Sequence, residues 1–296
     1  MELEEAEALP GDERTGAVQL HVHFADNLAV LARLPDESID LVYIDPPFNT
    51  GGVRKYARLR TVAAADGDRV GFHGRRYRSS AGDERRFEDA FVDYEEFLRP
   101  RLREIRRVLK STGSLYFHID YREVHYCKVL LDSIFGRGCF QNEIIWAYDY
   151  GARSRRRWPA KHDNILFYVK DCRRYYFDME AVDRIPYMAP GLVGPEKAAR
   201  GKTPTDTWWH TIVPTNGAER TGYPTQKPVG IVERIVRVSS PPGGLVADFF
   251  AGSGTTGEAA LRHGRRALLV DDNPQAWSVM RRRFSGRAGV RWTGRS

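Results

Sequence analysis

Asp248-Phe-Phe-Ala-Gly252-Ser-Gly254-Thr-Thr-Gly257 decides the fold class of this 296-residue chain. The stretch begins inside an apolar strand, Leu245 to Phe249, and ends inside a helical segment, Thr255 to Arg262. Gly252, Gly254 and Gly257 satisfy G-x-G-x-x-G. Glycines at such places permit a tight turn and let backbone N–H groups approach a ligand closely. Asp271 ends the next apolar strand, Ala267 to Val270, 19 residues after Gly252. An acid there accepts hydrogen bonds from ribose hydroxyls. Strand, glycine turn, helix and acid together suit a nucleoside cofactor, and NAD, FAD and S-adenosylmethionine all use this geometry.

Outward from that turn the same alternation recurs. Toward the N-terminus, Val18 to Phe24 reads as a strand, Asp26-Asn27 as a cap, Leu28 to Leu34 as a helix and Ile39 to Ile44 as a strand that stops at Asp45-Pro-Pro. Tyr94 to Leu109 has helical periodicity and should end at the C-cap Lys110-Ser-Thr-Gly113. A strand from Ser114 to Ile119, a helix from Glu123 to Phe135 and a strand from Asn142 to Ala147 follow. After a break, a helix to Val238 and another from Pro274 complete the pattern. Strands alternating with helices at both ends predict an α/β fold, a Rossmann-like, mainly parallel sheet flanked by helices.

Two stretches interrupt it. Residues 51–90 are Gly- and Arg-rich with few periodic apolar positions and are expected to form a mobile loop. Residues 148–222 carry basic clusters, Pro, Gly and Trp208-Trp209 and read as an insertion. The expected organisation is a flexible segment 1–17, a first half-domain 18–147, the inserted region 148–222, a second half-domain 223–285 and a tail 286–296.

Composition narrows the class. Lys plus Arg number 46 against 39 Asp plus Glu, a formal charge of +7. Mean hydropathy is −0.51 and the pI is near 9.3, values of an ordinary globular protein with a basic surface. No run reaches the ~18 to 20 apolar residues of a membrane helix, and Met1 to Arg14 is acidic rather than a leader, so a cytoplasmic protein with no membrane partner is expected. Cys127, Cys139 and Cys172 lack ligand or disulfide spacing and read as reduced thiols. His162 and His210 have no companions at ligand spacing, so no metal is expected.

Asp45-Pro46-Pro47-Phe48-Asn49-Thr50 suits chemistry on a planar amine held out of a helix. An exocyclic nitrogen such as that of adenine is a poor nucleophile because its lone pair is conjugated with the ring. A carboxylate from Asp45 can accept one of its N–H bonds while a backbone carbonyl of the proline pair accepts the other, which turns the lone pair toward an incoming methyl group. Phe48 offers a flat face for a flipped base, a stacking contact of ~1–3 kcal/mol.

With both segments in hand, the chain resembles the amino-methylating DNA methyltransferases of the permuted class, in which the catalytic half precedes the cofactor half. The resemblance covers roughly residues 18 to 285. It rests on Asp45-Pro-Pro-Phe48, on Thr225-Gln226-Lys227-Pro228 and on Phe250-Ala-Gly-Ser-Gly254, in that order, with Phe24-Ala-Asp26-Asn27 upstream. Asn142-Glu-Ile-Ile-Trp146 and Lys161-His-Asp-Asn-Ile-Leu-Phe-Tyr168 resemble the segments that flank the family's target-recognition region. The resemblance implies S-adenosylmethionine as methyl donor, Asp45, Pro46, Pro47 and Phe48 as catalytic residues, and Asp26, Gln226, Lys227, Asp248, Phe250, Gly252, Ser253, Gly254, Thr255 and Asp271 as cofactor-binding residues. An initial Asp resembles the adenine-N6 members rather than the cytosine-N4 members, which more often begin with Ser. No Cys follows a Pro, so the covalent route of carbon-5 enzymes is not expected.

Double-stranded DNA is then the expected partner. Arg153, Arg155, Arg156, Arg157 and Lys161 place five positive charges in nine residues around Trp158, and Arg75, Arg76 and Arg78 form a second basic run just after the catalytic motif. Such clusters neutralise phosphates. Arg281-Arg-Arg283 reads instead as a helix-terminal charge cluster, and Trp208-Trp209 as a packing anchor or a wedge into DNA. A homodimer and a cognate restriction endonuclease are open expectations. Three alternatives stay open: cytosine-N4 methylation, an NAD-dependent oxidoreductase built on the Gly252–Gly257 turn, and a DNA-binding module without catalysis. RNA as the polymer also fits the charge.

Overall fold

In the computed structural model, residues 18–49, 93–151 and 153–294 are described, together with the backbone pairing of three strands between 52 and 89. In chain order the elements are β1 (Leu20–Phe24), α1 (Asn27–Leu31), β2 (Ile39–Ile44), β3 (Gly52–Ala63), β4 (Arg69–Val70), β5 (Arg76–Asp89), α2 (Tyr94–Val108), β6 (Leu109–Asp120), α3 (Val124–Phe135), β7 (Phe140–Ala147) and β8 (His162–Val169). They continue with α4 (Pro195–Arg200), β9 (Thr207–Trp209), α5 (Val229–Ser239), β10 (Leu245–Asp248), α6 (Thr255–Arg262), β11 (Arg266–Asp271), α7 (Pro274–Arg283) and β12 (Val290–Thr293). The chain divides into two units. The smaller, Pro47–Tyr94, contains the antiparallel sheet β3-β5-β4, and the larger contains everything else.

The larger unit is built on a nine-stranded sheet ordered β12-β1-β11-β10-β2-β6-β8-β7-β9. All its pairings are parallel except those of β8, which runs against β6 and β7. The central strands are mostly apolar, as parallel sheets covered by helices on both faces require. Every residue of β2 and of β10 is buried. Pro46 and Pro47 cannot extend the ladder, so β2 stops and leaves Asp45 at the sheet's carboxyl edge. β2 and β10 are neighbours, with Val246 opposite Leu41 and Ala247 opposite Val42. At their opposite ends, Asp40 Oδ2 accepts the Leu245 N–H at 2.8 Å, which fixes the same register.

The expected Rossmann-like α/β architecture is present. Four expectations shift in detail. Lys110 to Gly113 is not a helix cap: β6 already begins at Leu109, because the backbone folds back onto β2, where a Cβ on Gly113 would stand 3.1 Å from the Ile39 carbonyl. Residues 51–90 are not a plain loop, since β3, β4 and β5 pair within them. The inserted region is shorter than 148–222, because β8 lies inside the main sheet with seven of its eight residues buried. The tail contributes β12, an edge strand paired with β1. The expected flexible segment 1–17 lies outside the described residues. Among the described residues no helix is long and apolar enough to cross a membrane, and no group of three or more His, Cys, Asp or Glu is arranged to hold a metal. Cys127, Cys139 and Cys172 are free.

Candidate active site

The carboxyl edge of β2, β10 and β11 gathers three acids, Asp45, Asp248 and Asp271, on adjacent strands. Each has a different set of partners. Asp45 Oδ2 is ion-paired with the ammonium of Lys227, both side chains being largely buried. Asp45 Oδ1 is buried and has no hydrogen-bond partner among the described residues. A buried carboxylate oxygen without a donor is costly, so it marks a place where a donor is to be received.

Asp248 sits beneath the glycine turn. Its Oδ1 accepts the Phe250 N–H at 3.0 Å and its Oδ2 accepts the Thr256 hydroxyl at 2.5 Å. Burial pushes its carboxyl up to about 7 despite those two bonds, and the charges of Asp45 and Asp271 push the same way. Asp271 accepts the Gly252 N–H at 2.7 Å on one oxygen and the Asn273 N–H at 2.9 Å on the other. Burial pushes it up to about 6, with those backbone bonds opposing. The acid expected to hold ribose hydroxyls therefore also shapes the glycine turn itself.

The turn needs its glycines for space and for backbone angle. Gly254 has φ +74°, and a Cβ there would meet the Phe284 ring at 2.8 Å. Gly257 would meet Leu269 at 2.7 Å. Ser253 and Thr255 are buried and hydrogen-bonded to each other at 3.0 Å, and the Thr255 hydroxyl donates to the Lys227 carbonyl at 3.2 Å. Arg283 donates to the Ser253 carbonyl at 2.9 Å, so this arginine is built into the turn rather than being a helix-end charge alone. Arg281 lies over the rings of Trp277 and Trp292.

Asp26 remains exposed at the end of β1. It caps α1 by accepting the Ala29 N–H at 3.1 Å and pairs with Arg101 at 3.1 Å. Arg101 also donates to Asn27, whose amide donates to the Phe249 carbonyl at 2.8 Å. The tips of β1 and β10 are thus tied together through Asn27, read from the sequence only as part of a cap, and Arg101, which the sequence did not single out. The Phe250 ring is 6.1 Å from that of Phe97, over which the Arg101 guanidinium lies at 4.0 Å.

Two residues expected on the cofactor side have partners within the protein. Gln226 spends its amide on its own loop: its oxygen accepts from the Thr221 N–H and hydroxyl, and its nitrogen donates to the Glu219 carbonyl. The Lys227 ammonium reaches Asp45. In the smaller unit, the Pro47 carbonyl accepts the Tyr94 hydroxyl at 2.6 Å, which leaves the Pro46 carbonyl as the stronger candidate for a second amine contact. Phe48 is partly buried and belongs to that smaller unit.

A buried polar chain below Asp45 went unnoticed in the sequence. The Tyr43 hydroxyl is 2.7 Å from His118 Nδ1, and His118 Nε2 is 3.2 Å from Asp163 Oδ2. Asp163 Oδ1 accepts the Tyr148 hydroxyl at 3.0 Å. The chain crosses from β2 through β6 to β8, and bonds from His118 and Tyr148 with the charge of Lys227 hold Asp163 below the usual carboxylate range against its burial.

Of the expected DNA contacts, Arg153, Arg155, Arg156 and Arg157 are all exposed on the loop between β7 and β8. Lys161 pairs with Asp149 at 2.7 Å. Arg75 lies outside the described residues; Arg76 and Arg78 fall in β5, whose backbone alone is described. Trp208 packs toward the core with Arg234 over its ring at 5.3 Å, while Trp209 is exposed.

Comparison with known proteins agrees with this geometry. A family model described as DNA methylase, covering N6 and N4 enzymes, matches residues 39–281. The DNA adenine methyltransferase YhdJ of Escherichia coli (strain K12) is 29% identical over 263 residues, covering 84% of this chain and 77% of its own. The crystal structure of the M1.HpyAVI–SAM complex superposes with a TM-score of 0.58 at 17% identity, covering 90% of this chain and 99% of its own. The PvuII cytosine-N4-specific DNA methyltransferase gives 0.61 at 17% identity, covering 92% and 91%. At these identities the two structures speak to the fold.

Proposed function

The chain belongs to the DNA methylase family, and from that premise we propose that it transfers a methyl group from S-adenosylmethionine to the exocyclic N6 of an adenine flipped out of double-stranded DNA. The observation that carries the reading is Asp45 Oδ1, a buried acceptor with no partner among the described residues, at the end of the strand next to the glycine turn.

The residues at this edge fit a sulfonium cofactor: a glycine turn without room for side chains, an exposed carboxylate at Asp26, an aromatic pair at Phe97 and Phe250, and the Asp271 carboxyl at the end of β11. When bound, S-adenosylmethionine supplies an electrophilic methyl group. Asp45 Oδ1 then accepts one N6–H of the adenine and the Pro46 carbonyl the other. The amine turns its lone pair out of conjugation and toward that methyl, so the contribution is mainly orientation. Lys227 keeps Oδ2 occupied, which directs the free oxygen at the base. After transfer the product nitrogen carries one proton too many, and Asp45 is the group placed to accept it. The resemblance assigns the stacking face for the base to Phe48, and the Arg153–Arg157 loop neutralises the DNA backbone.

Family membership removes the oxidoreductase alternative, and Asp45 with its unpartnered oxygen argues against a module without catalysis. Methylation-sensitive long-read sequencing of DNA from a host expressing the protein tests the rest. Modified N6 of adenine at one fixed sequence is expected, and no modification with Asp45→Ala. Modified N4 of cytosine would overturn the choice of base, and turnover by Asp45→Ala would overturn the role of Asp45.

A further inference from the structure

Trp158 is 94% exposed, in a chain whose other described tryptophans, apart from Trp209, are at least partly buried. Both faces of this indole are open to a stacking partner. Its surroundings say what kind. Arg153, Arg155, Arg156 and Arg157 precede it, all exposed, and the Ser154 hydroxyl accepts the Arg156 and Arg157 N–H groups at 3.2 and 3.1 Å, forming a turn that presents successive arginines. An aromatic among arginines is the combination that binds bases and phosphates together.

Topology puts this residue at the catalytic end of the sheet. β2 and β6 run parallel, β8 runs against β6, and Asp163 at the start of β8 faces Asp120 at the end of β6. The loop joining Ala147 of β7 to His162 of β8 therefore leaves from the same edge as Asp45. Its base is closed by the Tyr148 N–H donated to the Lys161 carbonyl at 3.0 Å and by the Lys161–Asp149 pair. In the sheet order, β8 and β7 are two and three strands from β2, about 10 to 14 Å at ~4.8 Å per strand. That matches the ~12 Å width of a major groove, so a duplex delivering a base to Asp45 passes this loop. Trp209 is the other exposed indole, but β9 is four strands away, about 19 Å, and no arginine run adjoins it.

We propose that Trp158 inserts into the duplex at the place the target adenine leaves, stacking on the neighbouring bases and on the widowed partner. An apolar wedge between base steps is a known way to stabilise an unstacked duplex, and the arginines would hold the phosphates on either side. The proposal rests on the base-flipping reading above. It assigns Trp158 a positioning role, since it touches DNA and not the reacting atoms.

The test compares two synthetic duplexes carrying the recognition sequence found by sequencing, one intact and one with an abasic site opposite the target adenine. The abasic site removes the pairing that the wedge must replace. Trp158→Ala is expected to lower kcat/KM at least tenfold on the intact duplex and to come within threefold of wild type on the abasic one. Trp158→Phe should keep most activity, and Trp209→Ala should stay within threefold on both. Equal losses on both duplexes would overturn the wedge and leave a simple affinity contact; no loss on either would overturn it outright. If wild type methylates neither duplex, the proposed function fails, a result distinct from failure of the wedge. Calorimetric binding of S-adenosylmethionine should be unchanged in Trp158→Ala, because the loop is not part of the cofactor turn.

Discussion

Lys227→Met would leave Asp45 its charge and take away its cation. The two side chains are 11% and 16% exposed, so solvent replaces little of the lost interaction. Removing one partner of a buried ion pair costs ~3–5 kcal/mol, because the remaining charge is stranded. Residual exposure puts this pair near the lower end, about 3 kcal/mol. For a chain of this size that is a fall in Tm of roughly 6 to 9 °C. Adding Asp45→Asn removes the stranded charge, so the double variant should regain most of the loss, with a coupling energy of ~2 kcal/mol or more. Urea unfolding followed by tryptophan fluorescence on wild type, both single variants and the double variant measures all four corners of the cycle. A loss below ~0.5 kcal/mol in Lys227→Met, or a double variant no more stable than Lys227→Met, would refute the claim that this pair is a buried electrostatic unit. Activity is not a usable readout here, since Asp45→Asn alters the carboxylate proposed to be catalytic.

Gly254→Ala places a Cβ 2.8 Å from Phe284 at a residue with φ +74°; left-handed strain and overpacking together should cost ~2–4 kcal/mol, read by thermal unfolding, with weaker S-adenosylmethionine binding by calorimetry. An unchanged Tm would mean that α7 moves aside freely. Asp248 rises from 3.8 to about 7 on folding, so the folded state holds the proton more tightly than the unfolded chain. Its contribution to stability is greatest below pH 4 and is lost as pH rises through about 7, by at most on the order of 4 kcal/mol. Urea unfolding between pH 5 and 8 should accordingly show a smaller pH-linked loss in Asp248→Asn than in wild type. Parallel pH profiles for the two proteins would contradict this.

Why the sheet was legible and parts of the site were not has a physical basis. Buried parallel strands such as β2 and β10 are mostly apolar, and the glycine turn carries its constraint in residue type, so both stand out in one dimension. β12 is four residues long at an edge, and Val290-Arg-Trp-Thr shows no face. β8 was absorbed into an insertion because the basic loop before it dominated the local composition. The site's acids were visible because each ends a strand. Their partners were not: Lys227 is 182 residues from Asp45, and nothing in Thr225-Gln-Lys-Pro228 indicates which carboxylate the lysine reaches. The Tyr43–His118–Asp163 chain was hidden for the same reason, since three strands contribute one polar side chain each to an otherwise apolar surface.

Lys227 also explains why motifs so far apart must meet on adjacent strands. In-line methyl transfer requires the amine within about 3–3.5 Å of the methyl carbon, so cofactor turn and catalytic acid have to be held at a fixed spacing. Neighbouring strands set that spacing at roughly 4.8 Å, and chain order does not enter. The β2–β10 pair meets the requirement across 203 residues of sequence, from Asp45 to Asp248. At one end it is pinned by Asp40 on the Leu245 N–H. At the other, a single residue spans both motifs: the Lys227 carbonyl accepts the hydroxyl of Thr255 at the start of α6, and its ammonium holds Asp45. Lys227 therefore couples the glycine turn to Asp45 through one residue.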